Sequence, residues 1–145
     1  MIKIGLDLHG VINKDPNFFS NLSIMLMNRG NEVYIITGEE DSEKLRNEIN
    51  KYNIKYTDVF SVTTYRKEAG YKVSYLNGDK TQPMMDEMVW NTSKAVICFE
   101  NKIDIMIDDS LIYCQYFKNT DTQYIVYNEQ VREFLKMLFY PKECI

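Results

Sequence analysis

Short apolar runs that stop abruptly at polar residues recur along this chain, and stretches of helical spacing separate them. Residues 2–8 form a β-type run that ends at His9-Gly10. Val33-Tyr34-Ile35-Ile36 is continuously apolar, as expected of a strand covered on both faces, and it stops at Thr37-Gly38. Residues 59–62, 103–107 and 124–127 read as further strands, the second ending at Asp108-Asp109. Between them, Phe18, Phe19, Leu22, Met25 and Leu26 mark one face of a helix over 17–28, closed by Arg29-Gly30-Asn31. Asp41 or Ser42 can cap a second helix reaching about residue 52, with Leu45 and Ile49 inside it. Residues 110–118 and 129–140 read as helices as well. Strands alternating with helices imply an α/β fold, a parallel sheet with helices on both faces.

Two stretches are harder to read. Residues 64–83 follow the third strand, alternate weakly over 71–76, and carry the strong turn signal Asn77-Gly78. A small hairpin insertion fits them better than a helix. From Pro83 the chain reads as helical to about residue 90 and again over 93–101. Ala95-Val96-Ile97-Cys98-Phe99 nevertheless has the propensity of a strand.

The 145 residues make a single domain, 1–145, without room for a large second lobe. A net charge of −4 gives no general attraction for nucleic acid. Cys98, Cys114 and Cys144 are odd in number and widely spaced, which argues against a disulfide framework or a cysteine zinc site. The first residues, MIKIGLDLHG, do not resemble a signal peptide, and no run approaches a membrane span. The expected setting is cytoplasmic. Neither an internal repeat nor a low-complexity tract is present.

In a parallel sheet, ligands sit beyond the carboxyl ends of the strands, where the strand order switches. Asp7, Thr37 and Asp108 each directly follow an apolar run and should share that rim. Singly, such residues are ordinary turn and capping residues. In order, the chain reads IGLDLHGVI, IITG, Lys94 and IDIMIDDS. This series resembles the haloacid dehalogenase-like (HAD) superfamily of hydrolases over about residues 2–110. That family's motifs are a strand followed by Asp-x-Asp-Gly, a strand ending in Thr or Ser, a Lys, and a strand ending in an acidic pair.

The resemblance implies a three-layer Rossmann-like sheet and phosphoryl transfer. Asp7 would be the nucleophile, forming an aspartyl phosphate that water cleaves. Mg²⁺ would be held by Asp7, the carbonyl of His9, Asp108 and, more loosely, Asp109. Lys94 would balance the charge of Asp7 and the phosphate, Thr37 would donate its hydroxyl, and backbone N–H groups near Gly10 and Gly38 would add to the phosphate site. Lys80 and Lys102 are rivals to Lys94, which is preferred because it lies at an expected helix start ahead of Asp108.

One position departs from the family pattern. Where the phosphatases carry their second Asp, this chain has His9, its sole histidine. Three readings stay open: His9 serves as general acid and base, the site binds phosphate with little or no turnover, or His9 joins Asp7 and Asp108 on a softer metal.

No large cap fits in the sequence, so the site is expected to be open. By that resemblance, an open site implies a phosphorylated polymer end, or a phosphorylated small molecule sealed in by a second copy of the chain. The acidic balance disfavours nucleic acid, whereas Arg66, Lys67, Lys72 and Lys80 make the insertion locally basic and favour a nucleotide. Met84, Met85, Met88, Val89 and Trp90 read as core, with a protein-contact surface as the alternative.

Overall fold

The computed structural model describes residues 1–139. In chain order they form β1 (Lys3–Leu6), a 3₁₀ turn (Ile12–Lys14), α1 (Pro16–Asn28), β2 (Glu32–Thr37), α2 (Glu43–Lys51), β3 (Asp58–Ser61) and α3 (Val62–Glu68). There follow β4 (Ser74–Tyr75), β5 (Pro83–Met84), α4 (Glu87–Glu100), β6 (Ile105–Asp108), α5 (Leu111–Cys114), β7 (Gln123–Val126) and α6 (Glu129–Phe139). Five strands make one sheet in the order β3-β2-β1-β6-β7, and every neighbouring pair is parallel. Strand order reverses at β1, which has β2 on one side and β6 on the other.

Strand periodicity divides the core into two clusters. Val33 and Ile35 of β2 join Leu6, Ile107, Phe19, Leu45 and Ile49. Ile36 of the same strand joins Met106, Ala95, Ile97 and Cys98 instead. Alternate residues of a strand point to opposite faces, so the sheet is covered by α1, α2 and α6 on one side and by α3, α4 and α5 on the other. The expected Rossmann-like α/β architecture is therefore present. Among the described residues, no helix is long and apolar enough to cross a membrane.

Two local expectations change. Residues 62–68 are helical, because the Ser61 hydroxyl accepts from the Thr64 N–H and opens a turn directly after β3. The hairpin is confined to β4 and β5, with Asn77 and Gly78 at positive φ between them. Two expected helices over 83–90 and 93–101 are one, α4, capped by Asp86 accepting from the Val89 N–H. Ala95–Phe99 lies within that helix: Lys94, Ile97 and Cys98 are buried at helical spacing, while Phe99 faces out. Period overrode strand propensity here. Lys94 consequently sits in the middle of α4 rather than at a helix start. Tyr140 lies outside the described residues, as does Cys144.

Candidate functional site

The sheet's switch point carries the site. Asp7 follows β1 and Asp108 ends β6, adjacent strands, so both carboxylates emerge at one rim. The Asp7 N–H donates to the Ile107 carbonyl at 3.0 Å, which fixes the chain just where the side chain leaves the sheet. Lys94 reaches the same point from α4. Its Nζ donates to Asp7 Oδ1 at 2.9 Å and to Asp108 Oδ2 at 2.6 Å, and all three residues are buried. Of Lys94 and its rivals Lys80 and Lys102, Lys94 is the one in contact with Asp7 and Asp108, while Lys80 lies over the Tyr75 ring in the hairpin.

Backbone also holds the pair, at the Asp7 oxygen that Lys94 contacts and at the Asp108 oxygen that it does not. The Leu8 N–H donates to Asp7 Oδ1 at 3.0 Å, and the Ser110 N–H donates to Asp108 Oδ1 at 3.0 Å. Asp109 leans over Gly10, whose φ of +95° and lack of a side chain admit its carboxylate. Oxygens of Asp7, Asp108 and Asp109 lie within 4.8 Å of one another. This all-oxygen set suits a hard divalent cation.

Charge makes the same point. One ammonium faces three carboxylates, so the cluster is left net negative. Burial pushes the Asp7 carboxyl up to about 7; Lys94 pulls it down, while Asp108 and Asp109 add to the rise. Burial alone would discharge Lys94, but Asp7 and Asp108 outweigh it and hold the ammonium above its usual range. The two shifts are compatible because a single cation satisfies Asp108 at the shorter distance and leaves Asp7 partly uncompensated.

A cleft of about 680 Å³ opens over this cluster. Thr37 and Gly38 line it from the end of β2, and Thr37 is buried. The Gly38 carbonyl accepts from the Thr63 hydroxyl at 2.7 Å. Gly10 does not line the cleft, and its N–H donates to Asn13 Oδ1 at 2.8 Å. The expected contribution of that N–H is thus already spent within the turn. His9 lines the cleft, half exposed, with Nε2 3.1 Å from Glu48 Oε1. His9 also forms a second group of potential ligands with Glu39 and Glu48, distinct from the Asp cluster.

Several features had no clear signal in the sequence. Glu39 and Glu48 reach the cleft from the turn after β2 and from α2. The acidic pair after Thr37-Gly38 was a hint for the first; nothing local marks the second. Trp90, read as core from its apolar company, and Tyr113 both line the cleft while packing partly against the core. Thr81, Gln82 and Pro83 add a wall from the hairpin, so the insertion bounds the site rather than leaving it fully open. Its basic residues are largely engaged elsewhere. Lys67 pairs with Glu40 at 2.6 Å, and Arg66 is buried and donates to Ser93 Oγ at 2.8 Å.

No protein-family model matches the chain, and no curated protein matches it. Among solved structures, an uncharacterized protein from Corynebacterium glutamicum is similar, with a TM-score of 0.58 and 13% identity over 96% of this chain and 93% of that one. A likeness at that identity speaks to the fold alone.

Proposed function

We propose that the chain is a Mg²⁺-dependent phosphohydrolase of the haloacid dehalogenase-like kind, acting on a phosphomonoester through an aspartyl phosphate on Asp7. The observation that carries this reading is the buried Asp7–Lys94–Asp108 cluster at the switch point, left net negative with Asp109 beside it. Asp7, Asp108, Asp109 and the His9 carbonyl would hold the cation. Bound Mg²⁺ supplies positive charge for the phosphoryl oxygens and favours ionised Asp7.

The chain's own residues then have separable tasks. A carboxylate oxygen of Asp7 attacks phosphorus, and the bond from phosphorus to the ester oxygen breaks. Protonated His9 gives its proton to the departing alkoxide. Neutral His9 next takes a proton from water, whose oxygen attacks the acyl phosphate and frees Asp7 and inorganic phosphate. Lys94 stays charged and fixed beside the transferring group, while the Thr37 hydroxyl donates to a phosphoryl oxygen. Glu48 beside Nε2 orients the imidazole.

Turnover of an aryl phosphate and of a phosphomonoester panel with Mg²⁺ tests the reading. Wild type should release phosphate, and Asp7→Asn should release none. Beryllium fluoride should bind wild type in the presence of Mg²⁺. A wild type that is inactive, with activity appearing in His9→Asp, would overturn hydrolysis in favour of a non-catalytic phosphate-binding module. The engagement of His9 Nε2 by Glu48 is what favours that second reading.

A further inference from the structure

The lining of the cleft beyond the Asp–Lys cluster is chemically uneven. Trp90 packs so closely on Gly38 that a Cβ there would lie 2.6 Å from the indole Cη2. Its Nε1 donates to the Tyr113 hydroxyl at 2.8 Å, and the Tyr113 ring lies 5.4 Å from Lys94 Nζ. Two aromatic rings are therefore locked together beside the residues assigned above to the phosphate. Such a pair offers stacking surface whose rotamer entropy is already spent on the Gly38 and Tyr113 contacts.

Glu39 supplies a second, independent observation. Its Oε2 is buried and has no hydrogen-bond partner among the described residues, although the residue lines the cleft. A buried acceptor without a donor is costly, and a ligand hydroxyl or amine would satisfy it. The remaining charged lining is Glu48 and Lys44, with His9. Two carboxylates set against Lys44 and His9 leave no surplus of positive charge for a phosphate beyond the first. A volume of about 680 Å³ accommodates a mononucleotide.

We infer that this cleft is a subsite for a nucleoside monophosphate, with the base against the Trp90–Tyr113 pair and a ribose hydroxyl donating to Glu39. The inference rests on the phosphomonoester reading above and names its substrate class. Stacking selects a planar leaving group over a bare sugar, Glu39 selects a hydroxylated one, and the lack of surplus cations selects mono- over di- and triphosphates.

Trp90 is the chain's single tryptophan, so its emission reports on this wall alone. The test is a fluorescence titration of the full chain as Asp7→Asn with Mg²⁺, using adenosine and cytidine monophosphates, ribose 5-phosphate, adenosine triphosphate and inorganic phosphate. At least one nucleoside monophosphate should quench the emission and bind about tenfold or more tighter than ribose 5-phosphate. Adenosine triphosphate should bind more weakly than the monophosphate. Glu39→Ala should weaken nucleotide binding while leaving inorganic phosphate unchanged, and calorimetry on Trp90→Leu should remove the preference for nucleotide over ribose 5-phosphate. Equal binding of ribose 5-phosphate and both nucleotides, or binding of inorganic phosphate alone, would overturn the inference. The two readings fail separately. Aryl phosphate turnover without nucleotide preference sinks only the subsite, whereas nucleotide binding by a wild type that never releases phosphate sinks only the hydrolase.

Discussion

Lys94 and Asp7, 87 positions apart in the chain, meet at 2.9 Å in the interior, and the same ammonium also holds Asp108. That cation makes it tolerable to bury two carboxylates side by side. Replacing Lys94 by Met leaves both without a counter-charge, which should cost about 3–5 kcal/mol. Urea unfolding measures it. Adding Asp108→Asn to Lys94→Met should recover part of the loss, since the pair is coupled. Two additive losses would mean the contact carries no coupling energy.

Asp7 gives the protein an inverted pH dependence. Its folded-state pKa of about 7 lies above the ordinary 3.8, so the native chain holds this proton more tightly than the unfolded one. Stability from this group is then lost as pH rises from about 4 to 7 and levels off above. In chelator, Asp7→Asn should melt several degrees above wild type at pH 8, and the gap should close by pH 4. A gap of equal size at both pH values would refute the raised carboxyl.

Asp15 acts in the opposite sense. Burial would raise its pKa, yet Arg132 at 2.7 Å, the Tyr127 hydroxyl at 2.6 Å and Lys136 at 3.0 Å together pull it down to about 2. Its contribution is present above the ordinary 3.8 and disappears as pH falls through about 2. Asp15→Asn should cost about 1–2 kcal/mol at neutral pH, discounted for the partly exposed cations, and only a small fraction of that at pH 2. Denaturant melts at the two pH values compare them directly.

Mg²⁺ should raise the melting temperature of wild type in proportion to the logarithm of its concentration. Lys3, which begins β1 at the end opposite Asp7 and pairs with Glu32, makes a suitable control as Lys3→Ala. Asp108→Asn should lose most of the Mg²⁺ response while Lys3→Ala keeps it. Equal responses in the two variants would place the cation elsewhere.

Gly38→Ala drives a methyl group into the indole of Trp90, with 2.6 Å to the nearest ring atom. Either the ring moves or the β2–α2 turn does, at a cost of about 1–3 kcal/mol. Tryptophan emission should shift to the red as the bond to Tyr113 is strained. An unchanged spectrum with full stability would show that the turn yields freely and the ring is not pinned.

The alternating pattern was legible because a parallel strand covered on both faces needs a continuous apolar run. Val33-Tyr34-Ile35-Ile36 announced itself that way, residues 103–107 read as a further strand, and the residues after both had to fall at one rim. The sequence by itself thus determined a parallel α/β sheet and the company of Asp7, Thr37 and Asp108 at its carboxyl edge. It did not determine α4, where helical burial of Lys94, Ile97 and Cys98 prevailed over the strand propensity of Ala95–Phe99. Nor did it reveal that Trp90 and Tyr113, or Glu39 and Glu48, turn into the cleft. Those placements follow from how α2, α4 and the hairpin pack around the rim. Local spacing fixes which face a residue occupies on its own element, but only packing between elements fixes which residues of different elements meet.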